Sequence, residues 1–263
     1  MRSLRTNKTL RTNVITYAVV VAAFVLFQCL GSAGVLSSTM KGQLVPICAY
    51  VLMALSLNLT VGILGELSLG HAGFMSVGAF AGAVTASAMQ DSVPSSALRL
   101  TVAVLVGAVL AAIVGVLIGI PVLRLNGDYL AIVTLAFGEI IKSIVNNLYI
   151  GMDANGLHAS FLNNTIVLGE GGRMILSGPM GVPGIKKTAT FAPGFILILI
   201  ALFVIFNLVN SRAGRAIMAL RDNRIAAESV GINVTKYKLM AFVISAAIAG
   251  AGGALYGQAQ NAI

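Results

Sequence analysis

Long, nearly unbroken apolar stretches dominate this chain and leave it few ways to fold. A helix that crosses a bilayer needs about 20 mostly apolar residues. Such stretches recur near residues 13–30, 43–62, 69–89, 99–121, 129–149, 194–210 and 238–258. In hydrocarbon each backbone polar group must be satisfied within its own segment, which selects helices. The expected fold is all-α, a polytopic transmembrane helical bundle of about seven spans. Of the 263 residues, 58% are apolar and 10% charged, where soluble domains run at about 45–50% and 25%. That balance excludes a disordered chain, an ordinary cytosolic enzyme and a disulfide-stapled secreted domain. Cys29 and Cys48 sit inside apolar runs and read as small hydrophobes.

The sparse charge carries the topology. The 17 Lys and Arg outnumber 8 Asp and Glu. With the N-terminus cytoplasmic, eleven basic residues fall inside, five outside, and Lys142 within a span. The excess inside is the positive-inside bias that orients membrane proteins. The chain then has a long extracytoplasmic loop at 150–193 and a cytoplasmic loop at 211–237. The outer loop mixes Gly, Asn, Pro and Thr with short apolar runs, so partial order is expected there. With 6% aromatics and no Trp, the basic excess does not read as a nucleic-acid surface.

The cytoplasmic loop SRAGRAIMALRDNRIAAESVGIN (211–233) carries the strongest local signal. Asp222 or Asn223 can cap a helix N-terminus. About two turns follow, and Gly231 can take the left-handed position that ends them. A helix this short is marginal alone in water, which points to a partner. Ala226 and Ala227 would allow close approach, with Arg221, Arg224 and Glu228 as ionic handles. A solvated loop whose charge only sets topology is the bland alternative.

Two further patterns lie inside the spans. Gly62, Gly65, Gly70, Gly73 and Gly78 interrupt an apolar region around Ser68 and His71. Helices broken at membrane depth occur where backbone lines a cavity or packs on protein. Ser68, Gly70, His71 and Gly73 are therefore candidates for a solute path, with tight helix packing through small residues as the alternative. Glu139 and Lys142 are three apart and share a helix face. A charge at the bilayer centre costs about 2.5–3.5 kcal/mol on insertion scales, and pairing reduces that. They read either as a structural pair or as a complement to a zwitterionic solute.

Several chemistries are missing from the sequence. It contains no GxxxxGK[ST] phosphate loop, no HExxH and no GxSxG, and its two histidines cannot build a multi-histidine metal site. No catalytic residue is assigned.

The stretch 215–233 resembles the cytoplasmic coupling loop of branched-chain amino acid ABC permeases. LSLGHAGFMSVGA (67–79), GDYLAIVTLAFGEII (127–141) and GPMGVPG (178–184) agree with it, and the resemblance runs in order over about residues 45–258. It implies an integral permease subunit in the bacterial cell membrane. It implies two cytoplasmic P-loop ATPase subunits, a homologous permease and an external solute-binding protein as partners. ATP and Mg would sit on the ATPases, with no cofactor in this chain. The ATPase would dock on Arg221, Asp222, Arg224, Ala226, Ala227, Glu228 and Gly231. In this sequence the acid follows the alanines, whereas the family pattern places it before them, so the role of Glu228 departs from that pattern. Arg173, Lys186 and Lys187 on the outer loop would meet acidic rims on the binding protein. Family members carry further spans beyond the last apolar run here, and the expectation is a single permease domain over 1–263, incomplete at its C-terminus. Urea, short amides or another small polar solute, and a channel or secondary transporter that ignores ATP, are the rival readings. A membrane enzyme using Glu66, Ser68 and His71 is a remoter one.

Overall fold

A computed structural model describes residues 2–90, 93–125, 127–153, 156–162, 166, 172–182 and 188–260, with backbone alone for 2–10, 12, 128, 157 and 173. Nine α-helices appear among the described residues: α1 (Arg2–Ser32), α2 (Ser38–Leu57), α3 (His71–Ala88), α4 (Ser96–Val122), α5 (Asp128–Asn146), α6 (Phe191–Asn210), α7 (Arg212–Asp222), α8 (Arg224–Ser229) and α9 (Val234–Gly257). The expected helical bundle is present. Six of its helices are long and apolar enough to cross a membrane. The stretch expected at 69–89 falls outside that group. Its helix, α3, is 18 residues long and opens on His71, and it sits against α4 and α9 in the bundle interior.

The bundle is built around α9, whose glycines and alanines let α3 and α4 approach closely. A methyl added to Gly78 on α3 would collide with the Gly250 carbonyl, and one on Gly253 with the Met75 carbonyl. Gly107 and Gly115 on α4 meet Ala254 and Ala246 in the same way. Lipid tails are as apolar as leucine, so spans associate through such close van der Waals contact. Phe74 and Phe242 cross edge to face at 5.4 Å beneath this seam. By contrast α1 buries none of its apolar window and touches α6 through Phe24, which stacks on Phe195 at 4.3 Å.

Two ends of the bundle differ. At one, the long loop forms a three-stranded antiparallel sheet that hydropathy did not reveal, in the order β2 (Gly156–Phe161), β1 (Leu148–Asp153), β3 (Arg173–Ser177). Tyr149 pairs with Ser160 and Gly151 with His158, and a bulge at Ile150/Gly151 re-aims β1 against β3. Ile175, Leu176 and Val182 pack on Ala83, Phe80 and Val84 of α3. Lys186 and Lys187 lie outside the described residues, as does the Arg173 side chain. At the other end, α7 folds against α6, α9 and the turn that follows α2, and α8 against α7 and α9.

Candidate functional site

The α7–α8 unit is locally determined. Ser211 Oγ caps α7 by accepting from the Gly214 amide at 3.0 Å. The buried face of α7 is Gly214, Ile217 and Leu220, and Ile217 packs with Leu64 and Ala241. Asn223 Oδ1 then caps α8 by accepting from the Ala226 amide at 3.0 Å. Gly231, at φ +85°, closes it. The Gly231 amide donates to the Glu228 carbonyl and the Ile232 amide to the Ala227 carbonyl, the hydrogen-bond pair of a Schellman stop. Both termini of this short element are thus satisfied by its own neighbours. Arg224 Nε reaches Glu228 Oε1 at 3.1 Å along one face.

Among its exposed charged residues the unit shows two large aliphatic side chains to solvent. Ala227 turns inward and is 3% exposed, while Ile225 is 80% and Val230 75% exposed. Ala226, Arg224, Asp222 and Glu228 are also on the exposed side. The two alanines therefore face opposite ways, and only one is open to a partner. Ile225 and Val230 escaped the sequence reading, since a lone aliphatic in a two-turn helix has no periodicity to place it.

Arg221 has a different environment from its neighbours. Its Nη1 donates to the Gly62 carbonyl at 2.8 Å, and Asp222 Oδ1 accepts from Nε and Nη2 at 3.3 and 3.2 Å. Gly62 belongs to a π-helical turn, Asn58–Leu64, that continues α2. Gly65 ends this turn at φ +79°, where an added Cβ would meet Arg221 Cγ at 2.5 Å.

Residues 65–70 are non-helical, with Ser68 and Gly70 buried and Gly65, Leu67 and Leu69 exposed. The Glu66 amide donates to the Thr60 carbonyl at 3.1 Å. Its carboxylate pairs with Lys238 of α9, both side chains being largely buried. The Leu69 amide donates to Thr134 Oγ1 on α5 at 3.1 Å. Gly70 lies so close to the Thr134 carbonyl that a side chain there would collide with it. Non-helical backbone survives at depth because these groups take up its hydrogen bonds.

Above this segment lies a closed polar knot. His71 Nδ1 meets Ser68 Oγ at 3.1 Å, and Nε2 meets Ser245 Oγ at 2.7 Å. Thr60 Oγ1 donates to Ser245 Oγ at 2.8 Å, and Ser245 and Ser56 exchange hydroxyl-to-carbonyl bonds at 2.6 and 2.7 Å. Each of these side chains is at most 2% exposed. Ser68, Gly70, His71 and Gly73 are thus gathered in one place, as the glycine pattern suggested, but inside packed protein. Gly73 abuts Gly138 and Ile141. Glu139 and Lys142 do pair, at 3.3 Å, on the outer face of α5 with side chains 69% and 67% exposed. They are separate from the knot, whose neighbour on α5 is the buried Thr134.

Open space lies elsewhere. A cleft of about 470 Å³ runs along α3, lined by Ala72, Met75, Ser76, Ala79 and Phe80, with Tyr256 and Gln260 from the end of α9. The α3 residues recur at helical spacing, which sequence alone cannot tell from a core face. Its lining is mostly apolar with a few polar groups, the usual make-up of a small-molecule site. Among the described residues no three His, Cys, Asp or Glu side chains gather to hold a metal ion.

Comparison with known proteins is informative. Residues 39–263 match the family described as branched-chain amino acid transport system / permease component. The chain is 37% identical over 224 residues to the high-affinity branched-chain amino acid transport system permease protein LivM of Salmonella typhimurium, covering 81% of this chain and 51% of the relative. To LivM of Escherichia coli it is 36% identical over the same shares. To the nucleoside ABC transporter permease protein NupC of Lactococcus lactis it is 26% identical over 198 residues, 74% of this chain and 59% of the relative. The chain spans about half the length of the LivM relatives it matches. No solved structure matches it significantly.

Proposed function

Because the chain belongs to the branched-chain amino acid transport system / permease component family, we propose that it is the membrane-spanning permease subunit of an ATP-driven importer of branched-chain amino acids. It is a multi-pass protein of the bacterial cell membrane. Two cytoplasmic P-loop ATPases would supply the energy, a homologous permease would complete the solute path, and an external binding protein would deliver the solute. The observation that carries the reading is α8: a helix of six residues, capped at both ends, that offers Ile225 and Val230 to solvent. A self-closed element keeps its shape when pushed, and its uncovered apolar tip suits a groove on another subunit. ATP-driven closure of the ATPases would move α8 as a rigid body and switch the permease between outward and inward access.

The cleft along α3 supports the choice of cargo. Met75, Ala79 and Phe80 suit an aliphatic side chain, and Ser76, Tyr256 and Gln260 offer polar contacts to the amino and carboxyl groups. The knot at Ser68 and His71 holds the base of α3 beneath this path. The test is uptake of labelled leucine by vesicles carrying the assembled complex. ATP-dependent accumulation that leucine, isoleucine and valine suppress is expected. Uptake that ignores ATP would point to a channel or secondary transporter. Suppression by nucleosides and not by leucine would move the cargo to that of the Lactococcus relative.

A further inference from the structure

We infer that Arg221, although its side chain is 44% exposed, is a strut that carries movement of the α7–α8 unit to the base of α3, and does not itself contact the ATPase. The inference rests on the reading that α8 meets the ATPase.

The contacts of α8 set the problem. Among its own residues only Ala227 is buried, and its contact with α9 is small, so much of a push on Ile225 and Val230 leaves through its ends. One end continues through Asn223 into α7, whose last turn holds Arg221. Arg221 crosses 159 positions of sequence to donate to the Gly62 carbonyl. That carbonyl lies near the end of the π-helical turn, where helix carbonyls lack partners in their own helix. A cation there also complements the negative end of the helix. The aliphatic stem of Arg221 meanwhile lies on Gly65, where an added side chain would collide with it. Asp222 accepts two bonds from the guanidinium and so fixes the direction of the fork.

From Gly65 the path continues without slack. Glu66 is tied to Lys238 at the base of α9. The Leu69 amide is tied to Thr134 of α5. Ser68 is tied to His71, the first residue of α3, and α3 supplies five of the residues that line the cleft. Packed, hydrogen-bonded chains of this kind move as units between discrete arrangements. A lysine at 221 would keep the charge but lose the planar fork that satisfies Gly62 and Asp222 together.

The experiment compares Arg221→Ala, Arg221→Lys and Ile225→Asp in the complete complex in lipid. It measures ATPase copies retained, ATP hydrolysis and leucine taken up per ATP. Arg221→Ala is expected to keep the ATPase and its hydrolysis while uptake per ATP falls about tenfold, within the usual span of coupling between sites. A merely structural role would lower hydrolysis and uptake in parallel and would leave their ratio unchanged. Should Arg221→Ala fail to assemble, Arg221→Lys decides, with a smaller loss of uptake per ATP at full ATPase retention. Loss of the ATPase from the well-folded Arg221→Lys variant would make Arg221 a docking residue and overturn the strut. So would unchanged uptake per ATP in both Arg221 variants. Full ATPase retention by Ile225→Asp would instead overturn the docking role of α8, a separate failure.

Discussion

The polar knot around Ser245 and the α7–α8 unit invert the usual placement of side chains. The knot puts two serines, a threonine and a histidine around Ser245 in the middle of a bundle of apolar spans, and each finds a partner within the protein. The α7–α8 unit puts Ile225 and Val230 on the outside of a basic loop, and neither is covered. The contrast separates fold from function. A buried polar group that is fully paired describes how the chain holds itself together. An apolar group left open at a bundle end describes where something else belongs.

The sharpest way to break the comparison is to break the seam that supports the knot. Gly253→Leu would drive a side chain into the Met75 backbone and should abolish folded, monodisperse protein on size-exclusion chromatography. Gly42→Leu, with nothing within 4 Å of its added Cβ, should leave the elution profile unchanged. A well-folded Gly253→Leu variant would remove close packing as the organising contact of α9.

Ser245→Ala comes next. It strips a hydroxyl that serves Thr60 and His71 and also donates to the Ser56 carbonyl at 2.6 Å. The expected cost is about 1–3 kcal/mol, the penalty for leaving buried polar groups unpaired. It should appear as a lowered melting temperature in detergent. An unchanged melting temperature would mean that the knot is not structural.

Asn223→Ala should cost about 1 kcal/mol of local helix stability through loss of the cap. The readout is faster amide exchange over 224–230 with the melting temperature of the bundle held constant. The smallest effect is expected at Glu139→Gln. Its pair with Lys142 lies on an exposed face, so the melting temperature should not move. A changed leucine affinity at unchanged stability would give the pair a part in the solute path.

Legibility in the sequence follows the range of the forces involved. The spans were readable because hydrophobic length is a property of each stretch alone. The α8 cap and its Gly231 stop were readable for the same reason, as Asn223 and Gly231 act on residues within a few positions. The π-helical turn and the segment 65–70 could not be read in detail. They are stabilised by Arg221, Lys238 and Thr134, which lie between 65 and 172 positions away. Lys238 looked like a topogenic charge until the fold placed Glu66 beside it. The direction of Ala227 depended on where α9 would lie. The outer sheet was hidden because its strands are short, and its inward residues Ile175 and Leu176 pack on α3, a partner about ninety positions earlier in the chain.

The central claim is that α8 is the docking element, and co-purification tests it most directly. The full protein, tagged at its N-terminus, would be purified in mild detergent with and without Ile225→Asp and Val230→Asp. The account predicts that the unaltered protein brings down a P-loop ATPase in near-equal amount. The double variant should elute as the same folded permease, depleted of the ATPase about tenfold or more, as expected when apolar anchors are replaced by charge. Equal ATPase recovery from both preparations would contradict it.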